Sequence, residues 1–255
     1  RAMVPFGKLS CLQWVVFGVL FQRCIAQNLT HGQMSLWVSA LMLRGTLQLQ
    51  ERREWRGGGL IGLAAALKLT PLLFVLVLPL LHKTRGAIMT ALTFAVLVYV
   101  VPIPFLGWDL HVHHLQDFHT AVIAPIFGGG KSELMALHPT SYSIAGTLEP
   151  LLQQRPIDAT GTTVNLVDLS DTSYALVKLA WSAAIATLLA AWVWTARKLP
   201  MHQQIAHGAA AVMMGIAFFS PLTRAYHLAG ALLPFAMFCR GPTSRRDALW
   251  WSAAI

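Results

Sequence analysis

The chain has 255 residues, 56% of them hydrophobic and only 11% charged, with a formal net charge of +9. A soluble domain of this size carries roughly 25% charged residues, so the composition excludes an ordinary soluble enzyme. In so apolar a chain the basic excess is informative by its placement between membrane segments, and it does not imply a nucleic-acid partner. Runs such as 87–106 and 174–195 are continuously apolar over about the 20 residues that a helical span requires, and they lack the period-two alternation of barrel strands. The predicted class is therefore all-α, a polytopic integral membrane protein embedded in the lipid bilayer.

In chain order, the predicted membrane segments are 9–25, 34–43, 60–81, 87–106, 174–195, 205–219, 226–238 and a last one starting at 248. Between them, basic residues cluster at Arg1 and Lys8, at Arg44, Arg52, Arg53 and Arg56, at Lys83 and Arg85, at Arg197 and Lys198, and at Arg240, Arg245 and Arg246. The positive-inside rule places these loops in the cytoplasm. The loop 109–172 has the opposite balance, with Asp109, Asp117, Glu133, Glu149, Asp158, Asp168 and Asp171 against Lys131 and Arg155, and is predicted to be extracytoplasmic. Its length exceeds that of a mere connection. The whole, 1–255, reads as a single transmembrane domain, with both ends resembling cuts in a longer protein.

One stretch breaks the alternation. The loops before and after 60–81 are both basic, although one crossing would put them on opposite sides. The pattern is restored if the chain turns at Lys68-Leu69-Thr70-Pro71 and returns as two short helices, because Pro disfavours a continuous helix and Lys is costly at mid-bilayer depth. Arms of 12 to 14 residues cover about 20 Å of a 30 Å hydrocarbon core. Irregular backbone at that depth must be buried in protein or line a wet cavity. The polar clusters Gln27 to Gln33, Lys68 to Pro71 and Ser220 to His227 then converge on the outer face, as do seven of the ten histidines.

These residues also carry a resemblance. Asn28-Leu29-Thr30-His31-Gly32-Gln33 precedes an apolar run ending at Arg44-Gly45, and the stretch from Gly59 to Lys68-Leu69-Thr70-Pro71 follows. Ser220-Pro221-Leu222-Thr223-Arg224-Ala225-Tyr226-His227 comes late in the chain. As an ordered set they resemble glycosyltransferase family 87, across nearly the whole chain. The resemblance implies a GT-C-like helical bundle that transfers a hexose, often mannose, from a polyprenyl-phosphate sugar to a lipid or glycan acceptor outside the cytoplasmic membrane, with no further cofactor. The segment from His138 to Gly146 is a weaker match to the polar turn such enzymes have before a late helix. The family pattern also implies a carboxylate in a first outer loop, and this chain begins after that loop.

The chemistry needs cations for the phosphate leaving group and a base for the acceptor hydroxyl. Lys68 supplies a compact point charge and Arg224 a bidentate fork for the donor phosphate. His227 can donate to the phosphate or assist proton transfer. Asn28, Gln33 and His138 are candidates for the sugar and acceptor. Asp109 and Asp117 are the best carboxylates within the chain for a base. Against these stand plainer readings: Lys68 snorkelling to headgroups, Arg224 binding lipid phosphate nonspecifically, Asn28 and Gln33 capping helices, and the acids forming a solvated surface. His111, His113, His114 and His119 lack metal-ligand spacing, and Gly128-Gly129-Gly130-Lys131 lacks the P-loop pattern, so no metal is assigned. Cys11, Cys24 and Cys239 indicate neither a disulfide framework nor a CxxC site. Two other classes share these features: a secondary transporter, which also holds anions at broken helices, and a truncated lipid-binding product without catalysis.

Overall fold

The computed structural model describes residues 34–124, 144–154 and 165–219, together with 15, 19, 22, 25, 26, 29, 30 and 163. Among the described residues every regular element is helical. In order they are α1 (Ser35–Gln50), α2 (Glu54–Leu67), a 3-10 turn (Thr70–Leu73), α3 (Phe74–Leu80), α4 (Thr84–Ala95), α5 (Ile103–Leu106), α6 (Trp108–Phe118), α7 (Ile144–Leu152), α8 (Asp171–Ala196) and α9 (Met201–Phe219). A π turn, Val96–Val100, links α4 to α5, so that Thr84–Leu106 makes one apolar rod of 23 residues.

The first helix outruns its expected end at residue 43, because Arg44 and Gly45 do not stop it. Gly45 is the point of closest approach to α2, where a Cβ would lie 2.7 Å from Ile61 Cγ1 and 2.9 Å from the Gly57 carbonyl oxygen. The buried polar residues beyond it are satisfied locally: the Thr46 hydroxyl donates to the Met42 carbonyl at 2.8 Å, and the Gln48 amide to Glu51 at 3.1 Å. A three-residue corner then turns the chain into α2, antiparallel to α1. At this corner the Arg53 N–H donates to the Gln48 carbonyl (2.9 Å) and the Arg52 N–H to the Leu49 carbonyl (3.2 Å), with Arg52 at φ 63°. The end of α3 repeats the arrangement, with Lys83 donating to Leu78 (2.8 Å), His82 to Pro79 (3.0 Å) and His82 at φ 58°. Both are the paired-bond helix ending normally built on glycine. A side chain in that left-handed region costs about 1 to 2 kcal/mol.

The glycines fix the direction of the next pair. Gly58 sits against Gly86 and Met89, and Gly62 against Thr90 and Thr93, so α2 and α4 advance together and are parallel. A Cβ on Gly62 would meet Thr93 Cβ at 2.6 Å. The Thr90 hydroxyl lies within hydrogen-bond distance of the carbonyls of Gly58 (3.1 Å) and Gly86 (2.9 Å). Parallel neighbours require a return between them, which the 3-10 turn and α3 supply. The expected reversal at Lys68 is therefore present: α2 stops at Leu67, and the Lys68 backbone is extended, at φ −156° and ψ 118°. Pro71 falls in the first turn of the 3-10 segment, where its missing N–H removes no helical bond.

The basic corners meet at one end. Lys83 Nζ pairs with Glu54 Oε1 at 3.1 Å and lies 3.5 Å from Met201 Sδ, tying together the starts of α2, α4 and α9. Arg197, just past α8, reaches His82 at 3.3 Å. Val38, Met42, Leu49, Ile61, Phe74, Leu78, Ile205 and Val212 form the buried core between α1, α2, α3 and α9. Helix α8 packs outside it through Val193, against Leu81 and Ala211, and the Trp192 indole donates to His207 Nδ1 at 2.9 Å.

Among the described residues two helices, Thr84–Leu106 and Asp171–Ala196, are long and apolar enough to cross a membrane. Only 6% of the most apolar stretch of α8 is buried. The predicted segments 226–238 and 248 onward lie outside the described residues, as does 9–25 apart from the helical positions 15, 19, 22 and 25.

Candidate active site

The end of the bundle remote from Lys83 is uneven in height. Helix α2 has 14 residues, a rise of about 21 Å from the basic end. The parallel rod through Leu106 has 23 residues, about 34 Å, and α8 has 26, about 39 Å. Lys68 is thus recessed by about 13 Å below the top of the rod beside it. At this depth the π turn Val96–Val100 packs against α2. Such turns interrupt the regular backbone bonding of a helix and are frequent at functional sites.

Lys68 is half-buried and makes no ion pair among the described residues. Its Nζ donates to Ser35 Oγ at 3.1 Å, and Ser35, at the start of α1, is only 5% exposed. The antiparallel packing of α1 on α2 brings these two residues together across 33 positions of sequence. Sequence reasoning missed Ser35, since nothing local marks it; the contact exists only once the Gly45 and Gly57 faces are docked. The pair presents a cation held by one hydroxyl, with its remaining donor capacity uncommitted to any carboxylate. That arrangement suits an anionic oxygen arriving from outside.

Asp109 and Asp117 lie on α6, which begins after Gly107 (φ 75°) at the top of the rod. Together with His113 they occupy one face at helical spacing, all three exposed. His113 Nε2 stands 3.4 Å from Asp117 Oδ2. Helix α6 begins just beyond the top of the rod, so it starts at the end of the molecule where Lys68 lies, and neither carboxylate pairs with Lys68 among the described residues. His111, on the opposite face of α6, is 5% exposed, and its Nε2 has no hydrogen-bond partner among the described residues.

Asp168 and Asp171, from the same segment, have structural partners. The Gln154 N–H donates to Asp168 Oδ1 at 3.1 Å and the Gln153 amide to Asp171 Oδ1 at 2.9 Å, clamping α7 to the start of α8. No group of three His, Cys, Asp or Glu side chains among the described residues is arranged to hold a metal ion.

Asn28, Gln33, His138, Arg224 and His227 lie outside the described residues. Their chain neighbours can be placed. Ser35 follows Gln33 by two positions, and α9, which packs against the Thr70–Leu73 turn, ends at Phe219, five positions before Arg224.

No curated protein and no solved structure matches the chain. The sequence profile of glycosyltransferase family 87 matches residues 4–223, a span that contains the α1 to α9 bundle, Lys68, Asp109 and Asp117 and stops one residue before Arg224. With that match across most of its length, the chain belongs to glycosyltransferase family 87 and is a sugar-transferring enzyme.

Proposed function

We propose that the protein is a multi-pass enzyme of the cytoplasmic membrane that moves a hexose, in our reading mannose, from a polyprenyl-phosphate sugar to an extracytoplasmic lipid or glycan acceptor. The observation that carries this is the recessed Lys68, an ammonium at a broken helix tip whose described partner is a neutral hydroxyl. A polyprenyl phosphate offers the matching pair of features, an anionic head for the cation and an apolar tail for the exposed apolar faces of α4 and α8. Three features support the outward orientation. The basic corners gather at the opposite end, the segment 109–172 leaves and re-enters at the tops of the rod and α8, and Asp109, Asp168 and Asp171 stand at those two points.

In this reading Lys68 and Arg224 neutralise the phosphate as it leaves, and His227 assists at the same oxygen. Asn28, Gln33 and His138 bind sugar and acceptor hydroxyls. Asp109 or Asp117 on α6 takes the acceptor proton, which requires the acceptor to enter from above, past the α6 face. The deciding experiment supplies the full-length protein in liposomes with polyprenyl-phosphate [14C]mannose and a lipid extract as acceptor. Labelled glycolipid or glycan together with free polyprenyl phosphate is the expected outcome. Accumulation of unmodified solute inside the vesicles, without product, would replace transfer by transport.

A further inference from the structure

The far end of the bundle holds a charge pattern that sugar transfer does not use. Arg52, Arg53, Arg56, Lys83, Arg85, Arg197 and Lys198 gather there against Glu51 and Glu54. Both acids are already engaged, Glu51 with Arg53 at 3.4 Å and Glu54 with Lys83 at 3.1 Å. Among the described residues, Arg52, Arg56, Arg85, Arg197 and Lys198 make no ion pair with a carboxylate.

Several of these cations sit where local structure disfavours them. Arg56 and Arg85 occupy the first turns of α2 and α4, the ends at which the helix dipole repels positive charge. Arg52 and His82 take the left-handed corner positions that glycine fills without strain. Strain and unfavourable charge retained together at one surface point to a use for that surface.

At one place the pattern becomes a built site. The Arg197 guanidinium lies 3.3 Å from His82 Nε2, and its Cζ stands 4.4 Å from the centroid of the Trp194 ring. Stacking on the indole orients the planar fork, and one donor directed at the imidazole leaves others for a bidentate acceptor. Trp194 is 59% exposed on the last turn of α8, the helix whose apolar surface is almost wholly uncovered, and the exposed Lys198 follows four positions later. An amphipathic indole next to two cations is the arrangement expected at a membrane boundary.

We infer that Arg197, His82, Lys198 and Trp194 form a binding site for the phosphodiester of an anionic phospholipid on the side of the membrane opposite the sugar-transfer site. The guanidinium fork grips the phosphate oxygens, Lys198 adds a point charge, and the indole lies against the glycerol and first acyl carbons. This inference rests on the membrane reading above but not on the identity of the sugar donor.

The test uses native mass spectrometry of the full-length protein released from mixed micelles holding equal amounts of phosphatidylglycerol and phosphatidylcholine. The wild-type protein is expected to retain phosphatidylglycerol over phosphatidylcholine by about fivefold or more, the weight of one interfacial cation. The double variant R197Q/H82Q should lose at least half of that preference, while R56Q, at the same end but on another helix, keeps it. Equal retention of the two lipids by the wild-type protein, or an undiminished preference in R197Q/H82Q, overturns the inference. Inorganic phosphate at tenfold excess should leave the lipid bound; its displacement would show an anion site without lipid specificity and overturn the assignment. Carbonate extraction separates the two layers of argument: release of the wild-type chain into the soluble fraction refutes the membrane reading itself, whereas a retained chain without lipid preference refutes this site alone.

Discussion

Replacing Lys68 by Met removes the ammonium and keeps most of the stem. At a separation of about 4 Å and an effective dielectric near 20, a unit charge pair is worth about 4 kcal/mol, which sets the ceiling for its contribution to a phosphate leaving group. Part of that attraction is already present in the bound donor and shows in KM, so the expected loss in kcat lies between about tenfold (1.4 kcal/mol) and about 1000-fold. The fold itself loses one hydrogen bond, to Ser35 Oγ, worth about 1 kcal/mol, so transfer must fall far more than stability. Lys68→Arg keeps the charge on a longer, forked group and should recover part of the activity. Steady-state transfer from polyprenyl-phosphate mannose, alongside thermal unfolding of the same preparations, measures both quantities. Ser35→Ala completes a double-mutant cycle: if Ser35 orients the ammonium, it slows transfer several-fold in the wild-type background and not at all beside Lys68→Met. Wild-type turnover in Lys68→Met, in a preparation that remains folded, would refute the assignment of this residue to the donor phosphate.

Gly62→Val places methyl groups against Thr93, where even a Cβ meets Thr93 Cβ at 2.6 Å, and should cost about 1 to 3 kcal/mol of stability in a thermal unfolding assay. Arg52→Gly relieves the left-handed corner and should raise stability by about 1 kcal/mol; a lower melting temperature would mean that the Arg52 side chain contributes more than its backbone costs. Asp109→Asn and Asp117→Asn separate the two proposed bases. The one that takes the acceptor proton should lose at least about 100-fold in kcat, and near-normal rates in both would place the base elsewhere.

The break at Lys68 was legible because two independent rules, Pro in an apolar run and basic loops on both flanks, admit one solution. The gathering of Arg52, Lys83 and Arg197 at one end was legible for the same reason, since charge placement constrains topology more strongly than hydropathy does. The true length of α1 was not. Arg44, Gly45, Thr46 and Gln48 read as an exit from the apolar phase, yet Gly45 is the docking point on α2, and the polar side chains that follow find partners within a turn. Ser35 escaped notice because its role comes from a neighbour 33 residues away. The recess of Lys68 was legible in the shortness of the two arms around it, whereas the charge pattern of the 109–172 segment gave a side for Asp109 and Asp117 and no measure of their height.

The glycine contacts that align α1, α2 and α4 have a mechanical consequence. With backbone set against backbone at Gly45, Gly57, Gly58, Gly62 and Gly86, there is little side-chain freedom at these seams to take up movement, so the three helices behave as a stiff wall. Helix α8 packs along α9 through side chains, around Leu189, Val193 and Ala211 and the Trp192–His207 hydrogen bond, without such backbone seams, and forms the softer wall. In the proposed reading, the prenyl tail of the donor enters on the α8 side and not between the glycine-bound helices. A disulfide joining Leu189→Cys on α8 to Gly215→Cys on α9, where a Cβ on Gly215 would lie 3.6 Å from Leu189 Cδ1, should tie α8 to α9 and slow donor loading, and unaltered loading in an oxidised protein of wild-type melting temperature would place the entrance elsewhere.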